Sequence, residues 1–157
     1  LLYDSATIAL MRQRLIPRAL VITPNHIEAM HILGAEIEDD VDSLAKAALE
    51  LAAMGPSVVA LTGGRRNAPS MVDVVASNGK VTFLEGERFL TNNVRGTGDT
   101  FSAVIAAEVA KGTSLLGSVQ NAQTFTAEAV RRAATWKLGS GAGPIDHLGQ
   151  LNEARLD

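Results

Sequence analysis

An acidic residue, Asp99, follows two closely spaced glycines and precedes a long apolar helical pattern. Residues 95–100 have the sequence RGTGDT. The first turn of a helix has free N–H groups and a positive dipole end, and glycine lets an anion approach that backbone closely. Asp99 could therefore lie beside a bound phosphoryl group and accept the proton of an attacking hydroxyl. Alternatively, Asp99 simply caps the helix. The motif lacks the Lys of a P-loop, and Phe101 occupies the third glycine position of a dinucleotide fingerprint.

A second candidate site begins at Asn25, which follows a strand-like run and precedes a helical pattern. Asn25 and Glu28 have the spacing of a capping box, in which each side chain bonds the backbone of the other residue. The same pair could hold a hydrated Mg²⁺ beside phosphates, because Mg²⁺ takes few protein ligands and keeps several waters. The local sequence favours the capping box and leaves the metal site open.

A third candidate site, Thr62-Gly63-Gly64, follows a buried strand-like run. A plain turn is one interpretation. The other is that the Thr62 hydroxyl and the glycine backbone contact a nucleotide phosphate, because glycine permits a close approach of the main chain. The motif alone does not decide between them.

Periodicity and breakers indicate the elements that must position these residues. Apolar residues at helical spacing predict helices over residues 5–16, 26–33, 43–54, 100–111 and 114–138. Short apolar runs predict strands over residues 19–22, 57–61, 71–76, 80–84 and 87–91. Asn78-Gly79 predicts a hairpin between the third and fourth of these strands.

This element order predicts an α/β fold with a mostly parallel sheet and one β-hairpin. Ligands of such sheets bind beyond the carboxyl ends of the strands, so the three candidate sites are expected to converge on one crevice. No repeat, low-complexity tract or linker divides the sequence, and we expect residues 1–157 to form a single domain.

Composition excludes several classes of function. The chain is 46% hydrophobic and 20% charged, with a formal net charge of -3, so it has no basic field for nucleic acid or a membrane surface. It contains no cysteine, which excludes disulfides and a thiolate nucleophile and fits a cytoplasmic location. No apolar run approaches the roughly 20 residues of a membrane span.

Three motifs, in this order, resemble the ribokinase superfamily. They are TPN-x-x-E at residues 23–28, T-G-G at 62–64 and GTGD-T-F-S-A at 96–103. More narrowly, they resemble the branch of pyridoxal kinases and hydroxymethylpyrimidine/phosphomethylpyrimidine kinases. The resemblance implies a three-layer αβα ribokinase-like fold, with ATP and Mg²⁺ as cofactors. It covers only the C-terminal part of such kinases, so the N-terminal strands and the substrate-ring pocket are expected upstream of Leu1.

The resemblance assigns roles in the GTGD motif. Asp99 would be the catalytic base that takes the proton of the substrate hydroxymethyl group. The backbone N–H groups of Gly96, Thr97, Gly98 and Asp99 would form the anion hole for the γ-phosphoryl group. Arg95 precedes this motif and has a better claim to a phosphate contact than Arg65, for which that role is a minority option.

The resemblance also assigns roles to the other two motifs. Asn25 and Glu28 would organise Mg²⁺ and the phosphates, contacting the metal through water. Thr62 and Gly64 would contact the ATP phosphates. By analogy with relatives, the protein would form a homodimer and act on a small-molecule substrate.

The substrate remains open between two vitamin precursors. Asp99 resembles pyridoxal kinases, because many hydroxymethylpyrimidine-phosphate kinases have Cys there, and the segment from Met71 to Leu84 also resembles that side. Residues 141–147, GAGPIDH, instead resemble the pyrimidine kinases. Pyridoxal or pyridoxine is favoured, and hydroxymethylpyrimidine is the alternative. Other sugar or nucleoside kinases and a non-catalytic nucleotide-binding fragment are further alternatives.

The remaining residues are expected to have structural roles. His26, His31 and His147 lack metal-ligand spacing and are expected on the surface or in loops. Phe125 and Trp136 are expected to pack on the last long helix, in the core or beside adenine. Arg65 is expected in a solvated loop, and the acidic run at residues 36–42 is expected in an exposed loop that caps the next helix. The C-terminal tail is expected to form a weak last helix.

Overall fold

The computed structural model describes residues 4–65 and 68–149. The chain divides into two compact units, Leu1–Gly86 and Glu87–Asp157. The first unit contains α1 (Ser5–Leu10), β1 (Val21–Ile22), α2 (His26–Leu33), α3 (Val41–Ala52), β2 (Val58–Gly64), β3 (Ser70–Ser77) and β4 (Lys80–Glu87). The second contains α4 (Thr97–Ala110) and α5 (Leu115–Ala133). That the whole chain forms a single domain stays a prediction.

The sheet of the first unit has the strand order β1-β2-β3-β4 and is mixed. β1 and β2 run parallel, with Val21 opposite Val58, whereas β2 and β3 run antiparallel. Asn78 and Gly79 both have positive φ, 51° and 70°, which a two-residue type I′ turn requires. The predicted hairpin between β3 and β4 is therefore confirmed.

The core of the first unit lies between α3 and the two central strands. The helical spacing of α3 places four buried residues on one face: Leu44, Ala47, Ala48 and Leu51. β2 and β3 supply buried apolar side chains opposite that face, including Val59, Leu61, Val72 and Val74. Burial of these side chains is what holds α3 against the sheet, because each one removes apolar surface from water.

The second unit is organised by the packing of α4 against α5. Phe101 and Ile105 of α4 are buried, as are Val119, Ala122 and Ala129 of α5. The alanines leave room for the larger side chains, which allows close contact between helices. Neither of these helices, nor any other in the described part of the chain, is long and apolar enough to cross a bilayer.

Several predicted boundaries were wrong. α4 begins at Thr97, three residues before the predicted start at 100, because Gly96 rather than Asp99 is the N-cap. α5 ends at Ala133 rather than 138, which leaves Trp136 outside the helix. Residues 88–91 form no strand.

The first helical segment also differs from its prediction. After α1 the chain continues as a π-helical stretch, Met11–Leu15, and a 3₁₀ turn, Ile16–Arg18. Pro17 lies inside the 3₁₀ turn, where its missing N–H costs little because the turn has just begun. Gly55 follows the C-terminal end of α3 and has φ +121°. A Cβ atom at this position would lie 2.8 Å from the Pro17 Cα atom.

We expect Gly55→Ala to lower the free energy of unfolding by about 2 kcal/mol or more, because it adds both backbone strain and a clash with main-chain atoms. Urea titration followed by circular dichroism measures this. Gly34→Ala is the matched control, because Gly34 also has positive φ, +72°, but no atom closer than 4.0 Å to its Cβ position. Equal losses in both variants would contradict the close-approach argument.

Candidate functional site

The start of α2 has the predicted capping box. The Glu28 N–H donates to Asn25 Oδ1 at 3.0 Å, and the Asn25 N–H donates to Glu28 Oε2 at 3.0 Å. Gly34 ends the helix in the left-handed conformation, in agreement with the predicted helix end at residue 33. The local interpretation of Asn25 and Glu28 is therefore confirmed. Both residues remain exposed, so the cap does not remove them from contact with a ligand.

Main-chain pairing brings Asn25 beside the T-G-G motif. The Thr62 N–H donates to the Pro24 carbonyl at 2.9 Å, and Asn25 forms an isolated parallel bridge with Thr62. The parallel alignment of β1 and β2 thus continues past the end of β1. Two of the three predicted sites lie together in the first unit, whereas convergence with the third stays a prediction.

The T-G-G motif is the distorted end of β2 and not a separate turn. The register against β3 shifts between Leu61 and Gly64, and Gly63 has φ +74°. The Gly63 N–H donates at 2.9 Å to Oδ1 of Asp73, whose side chain is buried. Sequence analysis missed Asp73, because an acidic residue inside an apolar strand gives no indication of which backbone group it accepts from.

A buried histidine connects α2 with the loop before α3 and with the end of β2. His26 is only 2% exposed, and its Nε2 lies 2.7 Å from the Ile37 carbonyl. Its Nδ1 lies 3.6 Å from Asp39 Oδ1, and that oxygen accepts the Arg65 N–H at 2.7 Å. The prediction that His26 is a surface or loop residue was wrong. Asp39 instead joins the capping loop to the chain just after Gly64.

The donors of the first unit fit a largely hydrated Mg²⁺. Glu28 uses Oε2 in the capping box, and no described residue bonds its Oε1, which is free to contact a metal-bound water. The described residues contain no group of three or more acidic, histidine or cysteine side chains that could enclose a metal ion. Such a Mg²⁺ would depend on water and substrate phosphates for most of its ligands.

An apolar cleft of about 620 Å³ lies beside β1 in the same unit. Its lining is mainly aliphatic, and Asn25, Glu28 and His31 are among the polar residues that border it. A phosphate gains little from aliphatic walls and is repelled by a carboxylate. This cleft is therefore poorly suited to a phosphate group.

The GTGD motif forms a helix start without a side-chain cap. Gly96 is the N-cap of α4 with φ 91°, and the first helical hydrogen bond runs from the Thr100 N–H to the Gly96 carbonyl at 2.9 Å. The Thr97 N–H bonds the Val94 carbonyl at 3.3 Å. The N–H groups of Gly98 and Asp99 have no acceptor among the described residues. Two donors at the positive end of the helix are therefore available to an anion.

Asp99 does not cap α4, so that alternative was wrong. It is the third residue of the helix, and its exposed carboxylate has no hydrogen bond or ion pair among the described residues. A carboxylate here interacts favourably with the helix dipole. It is also free to accept a proton from a substrate beside the turn.

Sequence analysis missed the position of His147. Its Nδ1 lies 2.9 Å from the Thr100 hydroxyl, and a Cβ at Gly96 would lie 3.1 Å from its Cε1 and 3.3 Å from its Nε2. The side chain is exposed in a loop, as predicted, but its ring borders the start of α4. No spacing rule could have found this contact, because 47 residues separate His147 from Thr100.

The remaining predictions have mixed outcomes. His31 is exposed, as expected, whereas Trp136 lies beyond α5 and is 39% exposed. Phe125 lies on α5 and is partly buried. Arg95 has an exposed side chain, and its backbone pairs with the segment around Pro144. The predicted last helix lies largely outside the described residues.

Comparison with known proteins identifies a family with this arrangement. The model of the family described as phosphomethylpyrimidine kinase matches residues 1–146. A hydroxymethylpyrimidine/phosphomethylpyrimidine kinase of Staphylococcus aureus is 35% identical over 157 residues. That alignment covers 99% of this chain and 56% of the relative, so the chain spans about half the length of the curated relatives it matches.

Solved structures extend the likeness to the fold. An ADP complex of Bacillus subtilis pyridoxal kinase superposes with a TM-score of 0.87 at 32% identity, covering 98% of this chain and 55% of that one. Staphylococcus aureus pyridoxal kinase in complex with AMP-PCP and pyridoxal gives a TM-score of 0.87 at 28% identity, covering 94% and 54%. The predicted ribokinase-like α/β fold is therefore confirmed.

We expect Asp39→Ala to lower the free energy of unfolding by about 1–2 kcal/mol, because it removes the acceptor of the Arg65 N–H and the carboxylate beside His26. Denaturant titration measures the change. Glu36→Ala is the control, because Glu36 is an exposed acid of the same loop with no described partner. Equal stability of the two variants would show that Asp39 does not hold the end of β2.

Proposed function

The chain belongs to the phosphomethylpyrimidine kinase family, and on this premise we propose that the protein is an ATP-dependent kinase. It phosphorylates the hydroxymethyl group of a vitamin-precursor ring. The observation that carries this proposal is the glycine-capped start of α4, where the N–H groups of Gly98 and Asp99 and the Asp99 carboxylate have no partner among the described residues. Phosphoryl transfer needs mainly positioning and charge stabilisation, which these groups can supply.

The proposed step starts with the substrate hydroxyl beside Asp99. The hydroxyl oxygen forms a bond to the γ-phosphorus of ATP while its proton passes to the Asp99 carboxylate. The bond between the γ-phosphorus and the bridging β–γ oxygen breaks, and ADP leaves with that electron pair. The N–H groups of Gly96, Thr97, Gly98 and Asp99 form the anion hole, and those of Gly98 and Asp99 have no competing acceptor in the described part of the chain.

The first unit contributes the nucleotide and metal contacts of this proposal. Asn25 and Glu28 would hold Mg²⁺ through water, and the ion would neutralise charge on the phosphates. Thr62 and Gly64 contact the ATP phosphates at the distorted end of β2. Asp73 and Asp39 support that end, because they accept the N–H groups of Gly63 and Arg65.

Pyridoxal or pyridoxine is the favoured acceptor, because Asp99 at the proposed base position resembles pyridoxal kinases. Two similar solved structures are pyridoxal kinases, which supports that choice. The second candidate is hydroxymethylpyrimidine, favoured by the family model and by the 35%-identical relative. We further propose that the whole protein acts in the cytoplasm as a homodimer.

The test is an ADP-release assay with Mg·ATP in which pyridoxal and hydroxymethylpyrimidine are offered separately. Turnover with pyridoxal alone supports the favoured acceptor, and turnover with hydroxymethylpyrimidine alone replaces it with the second candidate. Nucleotide binding without turnover of either acceptor would overturn the kinase proposal in favour of a non-catalytic nucleotide-binding protein.

We expect Asp99→Asn to lower kcat by about 10²–10⁴-fold, the range of general-base catalysis, while ADP affinity changes little. The amide keeps the shape of the side chain but cannot accept the proton at neutral pH. Steady-state kinetics and calorimetric ADP binding measure the two effects. Full residual activity would contradict the assignment of Asp99 as the base.

We expect Glu28→Gln to raise the Mg²⁺ concentration needed for half-maximal activity, because a neutral amide attracts a hydrated cation less than a carboxylate does. The Gln side chain can still complete the capping box, so helix stability should be preserved. A Mg²⁺ titration at saturating ATP measures the shift. An unchanged titration would leave Asn25 and Glu28 with the capping role alone.

A further inference from the structure

His147 occupies a defined position at the start of α4. Its Cε1–Nε2 edge faces Gly96, where even a methyl group would come within 3.1 Å of the ring. Nδ1, the neighbour of Cε1 in the ring, lies 2.9 Å from the hydroxyl of Thr100, which is buried in the first turns of α4. An exposed loop histidine that is hydrogen-bonded at Nδ1 and lies close to Gly96 differs from a freely rotating surface side chain.

Backbone hydrogen bonds join the segment before His147 to Arg95 and to α5. The Arg95 N–H donates to the Gly143 carbonyl at 3.0 Å, and the Ile145 N–H donates to the Arg95 carbonyl at 3.2 Å. The Asp146 N–H donates to the Ala129 carbonyl of α5 at 3.0 Å. The Ile145 side chain is buried. These contacts join the segment to Arg95, the residue just before Gly96. They therefore fix the position of His147 relative to the start of α4.

The Thr100 contact can determine which ring nitrogen donates. A neutral imidazole has one N–H donor and one acceptor nitrogen. When the Thr100 hydroxyl donates to Nδ1, the ring proton resides on Nε2, the nitrogen on the edge that borders Gly96. Nε2 is then a donor at the turn whose Gly98 and Asp99 N–H groups have no described acceptor.

We propose that His147 is a further phosphate-contacting residue of this site, whose Nε2–H donates to the transferring γ-phosphoryl group, and that Thr100 is its positioning residue. This inference rests on the proposed kinase function and adds a side-chain donor to the backbone amides. Asp99 places a negative charge at the same turn, so an additional donor to the phosphoryl oxygens offsets part of its repulsion.

The test measures the binding of two ligands, ADP and a non-hydrolysable ATP analogue, to the protein and its variants. Both are titrated by calorimetry in the presence of Mg²⁺. His147→Phe keeps a ring against Gly96 but removes the donor. We expect it to weaken the analogue about tenfold, the value of one hydrogen bond to a charged group, and to change ADP affinity less than twofold. His147→Gln keeps an N–H donor and should recover most of the loss.

Two further variants test whether the change in analogue binding comes from the hydrogen bond of His147 or from packing around it. Leu148→Ala, at the exposed neighbouring residue, is the control and should leave both affinities unchanged. Thr100→Val removes the hydroxyl at similar volume and should weaken binding of the analogue. The double variant should bind the analogue no more weakly than His147→Phe alone, because both changes remove the same interaction. Independent losses in the double variant would overturn the positioning role of Thr100.

The outcomes distinguish this inference from the proposed function. If the protein binds both ligands and His147→Phe binds the analogue as tightly as the wild type does, only the role of His147 is overturned. Equal weakening of ADP and the analogue would also overturn it, because the effect would then not concern the γ-phosphoryl group. If the wild type binds neither ligand, the kinase proposal and this inference fail together.

Discussion

The parallel pairing of β1 with β2 is the constraint on which the first unit depends. It aligns Val21 with Val58 and continues to the hydrogen bond between the Thr62 N–H and the Pro24 carbonyl. This one ladder places the start of α2 beside the distorted end of β2. Two motifs that are 37 residues apart, counted from Asn25 to Thr62, therefore become neighbours through backbone atoms alone.

Features that depend on neighbouring residues could be predicted from the sequence. The capping box of Asn25 and Glu28 spans one helical turn, and the Asn78-Gly79 turn requires only two residues that tolerate positive φ. Gly34 ends α2 for the same reason. The motif order was sufficient to identify the family, since each motif is short and local.

Features that depend on distant contacts could not be predicted. The sequence contains no sign that Asp73 accepts the Gly63 N–H, or that Asp39 accepts the Arg65 N–H across 26 residues. The start of α4 was misplaced because Asp is a common N-cap, whereas Gly96 takes that position with φ 91°. A glycine N-cap is recognised from its backbone conformation, which residue type alone does not reveal.

The use of main-chain donors at the start of α4 affects how this surface tolerates genetic variation. Every residue except proline carries a backbone N–H, so most substitutions at Gly98 preserve the donor itself. An alanine scan reports on side chains and would therefore not detect the N–H donor of Gly98. Replacement of the single peptide N–H group by an ester oxygen would reveal that donor instead, and natural variants could differ in the side chain at residue 98 while retaining the same backbone donor.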